Sequence, residues 1–425
     1  MKKLLAMGAA TLLASGTLMA YTANDIFISG STAFRNNAYD ASSKLFDTNN
    51  YFGGTAVTIQ TDGTSPADKS TYWAMSGTMT NILGVANTNI ITVHGSFNGS
   101  VAGIFALGQP FGYQFYVSSS SQTFITNTPT AIFSDVDSST TLYPLSSSSY
   151  WEKDVAVQPF VYAKSASPSV SAINNVNFGQ LQQLLLNGTA PLSQFTGTNS
   201  DSSTTVYLVQ RTSDSGTRVT AYLEAQSFAA PNNIYYYDTT GVGGYYIATT
   251  NMYTDPLFIA GNFGPGYVSG GNIATVLGKT FANNTAIGYL SFSDAKGVTA
   301  VNWGNLCSYN GQYPVLNYVP GSTPLTNDFA PVRNGQYSFW AYEITAWPKQ
   351  AQYGTYTDQQ MPYASASAIL NKLSGYNGTT STKGVLVGGV GSIDNEVVNQ
   401  NPPTAISIFT MHCSRPSVGG PIGTF

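Results

Sequence analysis

Apolar and polar positions alternate between two periods along this chain. Ile26, Phe27 and Ile28 form a short apolar run after Asn24-Asp25, and Phe34, Ala38, Ala41 and Leu45 then follow at helical spacing. Between them lie Gly30, Ser31 and Thr32. The same local grammar returns twice. Ile90 to Val93 predicts a strand, His94 to Ser100 a turn, and Val101, Ile104 and Phe105 a helix. Thr205 to Gln210 predicts a strand, Arg211 to Thr217 a turn, and Val219, Tyr222 and Leu223 a helix. Further strands are predicted at Ala131–Phe133, Val155–Tyr162, Ala286–Phe292 and around Tyr337–Ile344. Phe178, Leu181 and Leu185 predict a helix stopped at Gly188, and Ala364–Leu373 a further helix. Residues 47–90 give no clear period, and 229–280, rich in Tyr and Gly, read as irregular or β. Strands alternating with helices predict an α/β fold with a parallel, doubly wound sheet, whose ligands sit at the C-terminal strand ends. All three small-residue turns fall there.

Composition places the chain outside several classes. Charged residues make up 8% of its 425 positions, against about 25% in ordinary soluble proteins. The net charge is −4, and no basic block is present, so a nucleic-acid partner is not expected. Lys2 and Lys3, the apolar run Leu4–Leu13, the break at Ser15-Gly16 and Ala20 predict a signal peptide over residues 1–20. No later stretch is apolar enough to span a membrane, so the expected location is periplasmic, secreted or cell-surface. The two cysteines, Cys307 and Cys413, either pair or remain buried thiols.

The turns carry the chemistry. A helix start presents unpaired N–H groups with partial positive charge behind them, which favours an anion. Thr32, Ser96, Ser215 and Thr217 offer hydroxyls, and Ala33, Gly216 and Thr217 offer backbone N–H. Arg211 offers a planar fork suited to phosphate. Asp135, in Ser134-Asp135-Val136-Asp137, narrows the anion. A carboxylate repels an anion unless that anion carries a proton to donate, so hydrogen phosphate is favoured over sulfate. Only two histidines occur, without clustered carboxylates or thiols, and no Gly-x-Ser-x-Gly elbow is visible. No catalysis, cofactor or metal is therefore expected. Asp137 reads as a cap, and Arg218 as an exposed first-turn residue.

The stretches Asp25-Ile26 to Gly30-Ser31-Thr32-Ala33, Gly95 to Ser100, Ser134-Asp135 and Arg211 to Thr217 together resemble the phosphate-binding proteins of the type 2 periplasmic-binding-protein superfamily. That group includes the substrate-binding component of phosphate ABC transporters and the DING proteins. Ile287-Gly288-Tyr289 with Ala295-Lys296, and the helix from Phe178 to Gly188, fit the same pattern. The resemblance implies two lobes with a hinge, residues 21–157 with 298–425 and residues 158–297, crossing near Gln158 and Lys296. It implies inorganic phosphate held by Thr32, Ala33, Ser96, Asp135, Arg211, Ser215, Gly216 and Thr217, and an ABC transporter permease as a partner. Segments 47–90, 229–280 and 300–348 have no counterpart in it, and Ser213 stands where an acidic residue is frequent. The alternative expectation is a surface or matrix protein that keeps the fold with weak or lost phosphate binding, consistent with the low charge and the Ser/Thr/Asn/Tyr richness.

Overall fold

The computed structural model describes residues 25–44, 46, 58–63, 70–78, 81–82, 85–86, 90–109, 112–118, 123–165, 173–226, 236–237, 245–246, 266–278, 285–297, 305–319, 328–349, 406, 411–416 and 421–424. The expected signal segment and the expected helix at 364–373 lie outside them. Among the described residues no helix is long and apolar enough to cross a membrane.

The elements that position the site are β1 (Asp25–Gly30), α1 (Arg35–Lys44), β2 (Thr58–Thr61), β3 (Tyr72–Thr78), β4 (Ile90–Ser96), α2 (Ser100–Gly108), β5 (Ala131–Ser134), β6 (Tyr150–Lys164), α3 (Phe178–Asn187), β7 (Thr189–Pro191), β8 (Thr205–Val209), α4 (Gly216–Glu224), α5 (Gly270–Leu277), β9 (Thr285–Ser291), β10 (Leu306–Tyr309) and β11 (Trp340–Pro348). One 12-stranded sheet runs in the order β7-β8-β9-β6-β11-β5-β1-β4-β3-β2, and off this path β10 pairs both β6 and the two-residue strand Asn175–Val176. The fold is α/β, as expected, but the sheet is mixed. β5-β1-β4 and β8-β9 are parallel. β6 is antiparallel to both β9 and β11, and β11 to β5. The antiparallel strands arise because the chain passes through the middle of the sheet twice rather than winding outward from it.

Two hydrophobic centres flank that crossing. In the first half, alternation along β1 sends Ile26 and Ile28 into a core with Phe34, just before α1, Ala38 of α1, and Trp73, Val93 and Phe133. It sends Phe27 to the opposite face, onto Ala102 and Ala106 of α2. Helices therefore cover both faces, as a doubly wound unit requires. In the second half, Phe160 and Tyr162 of β6 pack with Leu181 and Leu184 of α3, Leu208 of β8 and Ile287 of β9. α3 begins with a capping box, Asn177 with Gln180, and ends at Gly188 with φ 73°.

β6 joins the halves. Its first part pairs β11 and its last part pairs β9, with a bulge between Asp154 and Ala156. Among the described residues after 297, the first strand joins the second half. β10 pairs β6 at Tyr162↔Cys307, and Phe329, Tyr337, Phe339, Met411 and Cys413 belong to the second core. The return is made by β11, which carries Trp340 in register with Pro159 and reaches Ala346 opposite Ile132.

One further expectation changes, and one open alternative is resolved. Gly270–Leu277, in a stretch read as irregular or β, is a helix capped by Ser269, whose hydroxyl accepts from Asn272 N. Cys307 and Cys413 are free and buried. Their thiols face the carbonyls of Ile173 and Val332 respectively, and burial pushes Cys307 up to about 12.

Candidate anion site between the two halves

Each half contributes strand-end turns to one buried cluster. In the first half, β1 ends at Gly30 and leads through Thr32 to α1, β4 leads to the start of α2 at Ser100, and β5 leads to Asp135. In the second half, β8 leads through Arg211 to α4. These turns meet. Thr217 Oγ1 donates to Asp135 Oδ2 at 3.0 Å. Arg211 Nη2 donates to Thr32 Oγ1 at 3.0 Å. Val101 N at the start of α2 donates to Asp214 O at 2.9 Å. The approach is close enough to dictate glycine at two positions. Gly99 has φ +142°, and a Cβ there would lie 2.6 Å from Asp214 O. A Cβ on Gly216 would overlap Asp135 Oδ1 and lie 2.8 Å from Ser100 Cβ.

Asp135 is 1% exposed. Ser100 Oγ donates to its Oδ1, so both carboxylate oxygens are held, one from each half. Burial pushes this carboxyl above the usual range, opposed by the Ser100 hydrogen bond, the Arg211 charge and the Thr217 hydrogen bond. Arg211 is 2% exposed. Its Nε donates to Tyr267 O at 3.0 Å and its Nη2 also to Val268 O at 2.8 Å. Burial pulls the guanidinium's pKa down, and Asp214, Asp135 and Asp294 counter this. The result is a buried guanidinium and a buried carboxyl, one from each half, whose contacts across the boundary run through the hydroxyls of Thr32 and Thr217, with Ser100 holding the carboxyl from its own half.

The structure brings Thr32, Asp135, Arg211, Gly216 and Thr217 together. It gives the other three expected residues different work. Ser96 is buried at the end of β4 and its hydroxyl accepts from Asn98 Nδ2 at 3.0 Å. Ser100, four residues on, holds Asp135 instead. Ala33 N donates to Ser31 Oγ at 3.2 Å. Ser215 caps α4, accepting from Arg218 N at 3.2 Å. Arg218, expected to be exposed, is buried and donates to Arg211 O at 2.9 Å. Asp214 was part of the turn motif without an assigned role, and it accepts from Thr212 Oγ1. Asp137 caps the short 3-10 turn at Ser138–Thr140, as expected. Among the described residues no group of three or more His, Cys, Asp or Glu could hold a metal ion.

No protein-family model matches the chain, and no curated protein matches it. Solved structures do. A provisionally named phosphate ABC transporter substrate-binding protein from Clostridium perfringens, with bound phosphate, is 15% identical, with 83% of this chain and 98% of that chain covered and a TM-score of 0.40. An ABC-type phosphate transport receptor from Vibrio cholerae is 13% identical over 83% and 98%, with a TM-score of 0.37. The reduced regulatory domain of OxyR from Pseudomonas aeruginosa is 10% identical over 82% and 98%, with a TM-score of 0.30. All three scores lie under 0.5, so the site rests on the chain's own residues. The chain is similar to substrate-binding proteins of phosphate transport, and to a regulatory domain as well.

Proposed function

We propose that the protein binds inorganic phosphate in the cleft between its two halves and performs no chemistry on it. The observation that supports this is the buried pair of Arg211 from one half and Asp135 from the other, linked across the cleft through Thr32 and Thr217. A guanidinium supplies charge and a fork for an oxyanion. The carboxylate beside it accepts the proton that hydrogen phosphate carries and sulfate lacks. Ser100, Thr32 and Thr217 exchange their bonds within the protein for bonds to ligand oxygens. In this reading the expected signal peptide delivers the chain to the periplasm or the cell surface, and an ABC transporter permease receives the phosphate.

Titration calorimetry with phosphate and with sulfate tests the reading. Saturable phosphate heat and much weaker sulfate heat are expected; absence of phosphate heat, or equal affinity for both anions, refutes it. Asp135→Asn is expected to narrow the phosphate-over-sulfate preference by about 10- to 100-fold, the worth of one charged hydrogen bond. Unchanged selectivity would remove Asp135 from this role.

One observation favours a second reading. Thr32, Thr217 and Ser100 already satisfy Arg211 and Asp135 within the protein. A surface protein that keeps the fold and no longer binds would be sealed in this way. The same calorimetry separates the two readings.

A further inference from the structure

α4 brings the second half to the anion cleft on its first turn, where Gly216 approaches Asp135 and Thr217 donates to it. Its last residue, Glu224, is held by other parts of the chain. Ser338 Oγ donates to Glu224 Oε1, and Arg415 Nη1 donates to Glu224 Oε2 at 3.2 Å. The same Arg415 nitrogen donates to Ser338 O at 2.9 Å. The guanidinium carbon lies 4.2 Å from the centre of the Trp340 ring. Glu224 and Arg415 are both buried. One end of the helix therefore meets the cleft, and the other ends in an ion pair about 12 Å further along the axis.

Three segments meet at this pair. The first is α4 itself. The second is the start of β11: Ser338 lies two residues before it, and Trp340, its first residue, is in register with Pro159 of β6. The third is the C-terminal segment, which has anchors of its own. Met411 and Cys413 belong to the second core, and His412 N donates to Arg333 O at 2.9 Å. A buried ion pair adds little stability over apolar side chains of similar size, because desolvation offsets the attraction. What it supplies here is direction. Each carboxylate oxygen of Glu224 has its own donor, and the two donors come from different segments. α4 is one unbroken helix of nine residues, so a tilt at Glu224 carries to Thr217 and Gly216. The clearance there is small, since a Cβ on Gly216 would already overlap Asp135 Oδ1.

We propose that Arg415 is a positioning residue for the anion cleft. From the C-terminal segment it fixes the far end of α4 on the crossing strand, and through the helix it sets where Gly216 and Thr217 stand against Asp135. This rests on the reading that phosphate binds between the halves.

The test is phosphate calorimetry, together with the urea midpoint of the ligand-free chain, on the wild type, on the double variant Glu224→Leu with Arg415→Met, and on Arg415→Lys. The double variant removes both charges at once and leaves neither buried alone, so its midpoint is expected at or above that of the wild type. Its phosphate affinity is nevertheless expected to fall by roughly 2- to 30-fold. An ammonium cannot bond Glu224 and Ser338 O and also stack on Trp340 as the planar guanidinium does, so Arg415→Lys is expected to bind with an affinity between the two. Wild-type affinity in the double variant overturns this inference alone, and so does an affinity loss accompanied by a matching fall in midpoint. No phosphate heat in the wild type overturns the binding reading, and this inference with it. If the double variant does not fold, Arg415→Lys decides. Weaker binding at an unchanged midpoint supports the positioning role, and any other result overturns it.

Discussion

Arg211→Ala is expected to abolish measurable phosphate binding and to lower the stability of the chain together with it. The guanidinium donates to Tyr267 O, Val268 O and Thr32 Oγ1, and it is the positive partner of the buried carboxylates Asp214 and Asp135. Truncation removes a donor from each of those acceptors, leaving Tyr267 O only the Thr212 N–H, and takes away the positive charge acting on Asp135 and the larger of the two acting on Asp214. Removing one member of a buried charge pair costs about 3–5 kcal/mol, which read as affinity is a loss of roughly 10²- to 10³-fold or more. Arg211→Lys separates charge from shape. An ammonium keeps the charge but cannot hold the carbonyls of Tyr267 and Val268 and the Thr32 hydroxyl in one plane. The lysine variant is therefore expected to recover part of the stability and little of the affinity. Phosphate calorimetry and the urea midpoint of the ligand-free chain check both statements. Wild-type affinity in either variant would remove Arg211 from the site.

The elements legible in the sequence were those in which period and punctuation agree. Ile26 and Ile28 alternate with Phe27, a small-residue turn follows, and Phe34 and Ala38 resume at helical spacing. Each residue is found on the face that this reading demands. The parts that could not be read are those decided by long-range pairing. β3 places Trp73 and Met75 in the core, yet its run of Tyr, Trp, Ala, Met, Ser, Gly and Thr carries no strong strand signal. The first residues of β6, Trp151–Asp154, are polar or partly exposed, so only the buried stretch from Val155 read as a strand. The paired glycines at 270–271 masked a helix whose start is fixed by Ser269. At the site, Ser96 was expected and Ser100 of the same turn was given no role, and the helix start that places Ser100 depends on how α2 meets Asp214. Ser100 stands at that start, and the approach of Asp214 requires Gly99. Glu343 falls within the strand expected around Tyr337–Ile344, and no role was read for it. Its setting comes from the crossing of β6 and β11, which no local pattern encodes.

Gly216→Ala is expected to separate binding from local stability. Gly216 is the first residue of α4, and its own helix would gain from alanine by up to about 1 kcal/mol. The obstacle is across the cleft. The added methyl would overlap Asp135 Oδ1, lie 2.7 Å from Asp135 Cγ and crowd Ser100 Cβ at 2.8 Å. Asp135 cannot retreat freely, because Ser100 and Thr217 hold its two oxygens. The two halves must then part at this point, and crowding of this kind costs about 1–3 kcal/mol or more. The expected result is a loss of phosphate affinity of at least roughly 10- to 100-fold, with the thermal midpoint of the ligand-free chain falling far less than in Arg211→Ala. Small-angle scattering should show the variant more extended than wild type in saturating phosphate. Wild-type affinity together with wild-type compactness would mean that the α4 turn does not close on Asp135. The first half would then have to bind its anion without the second.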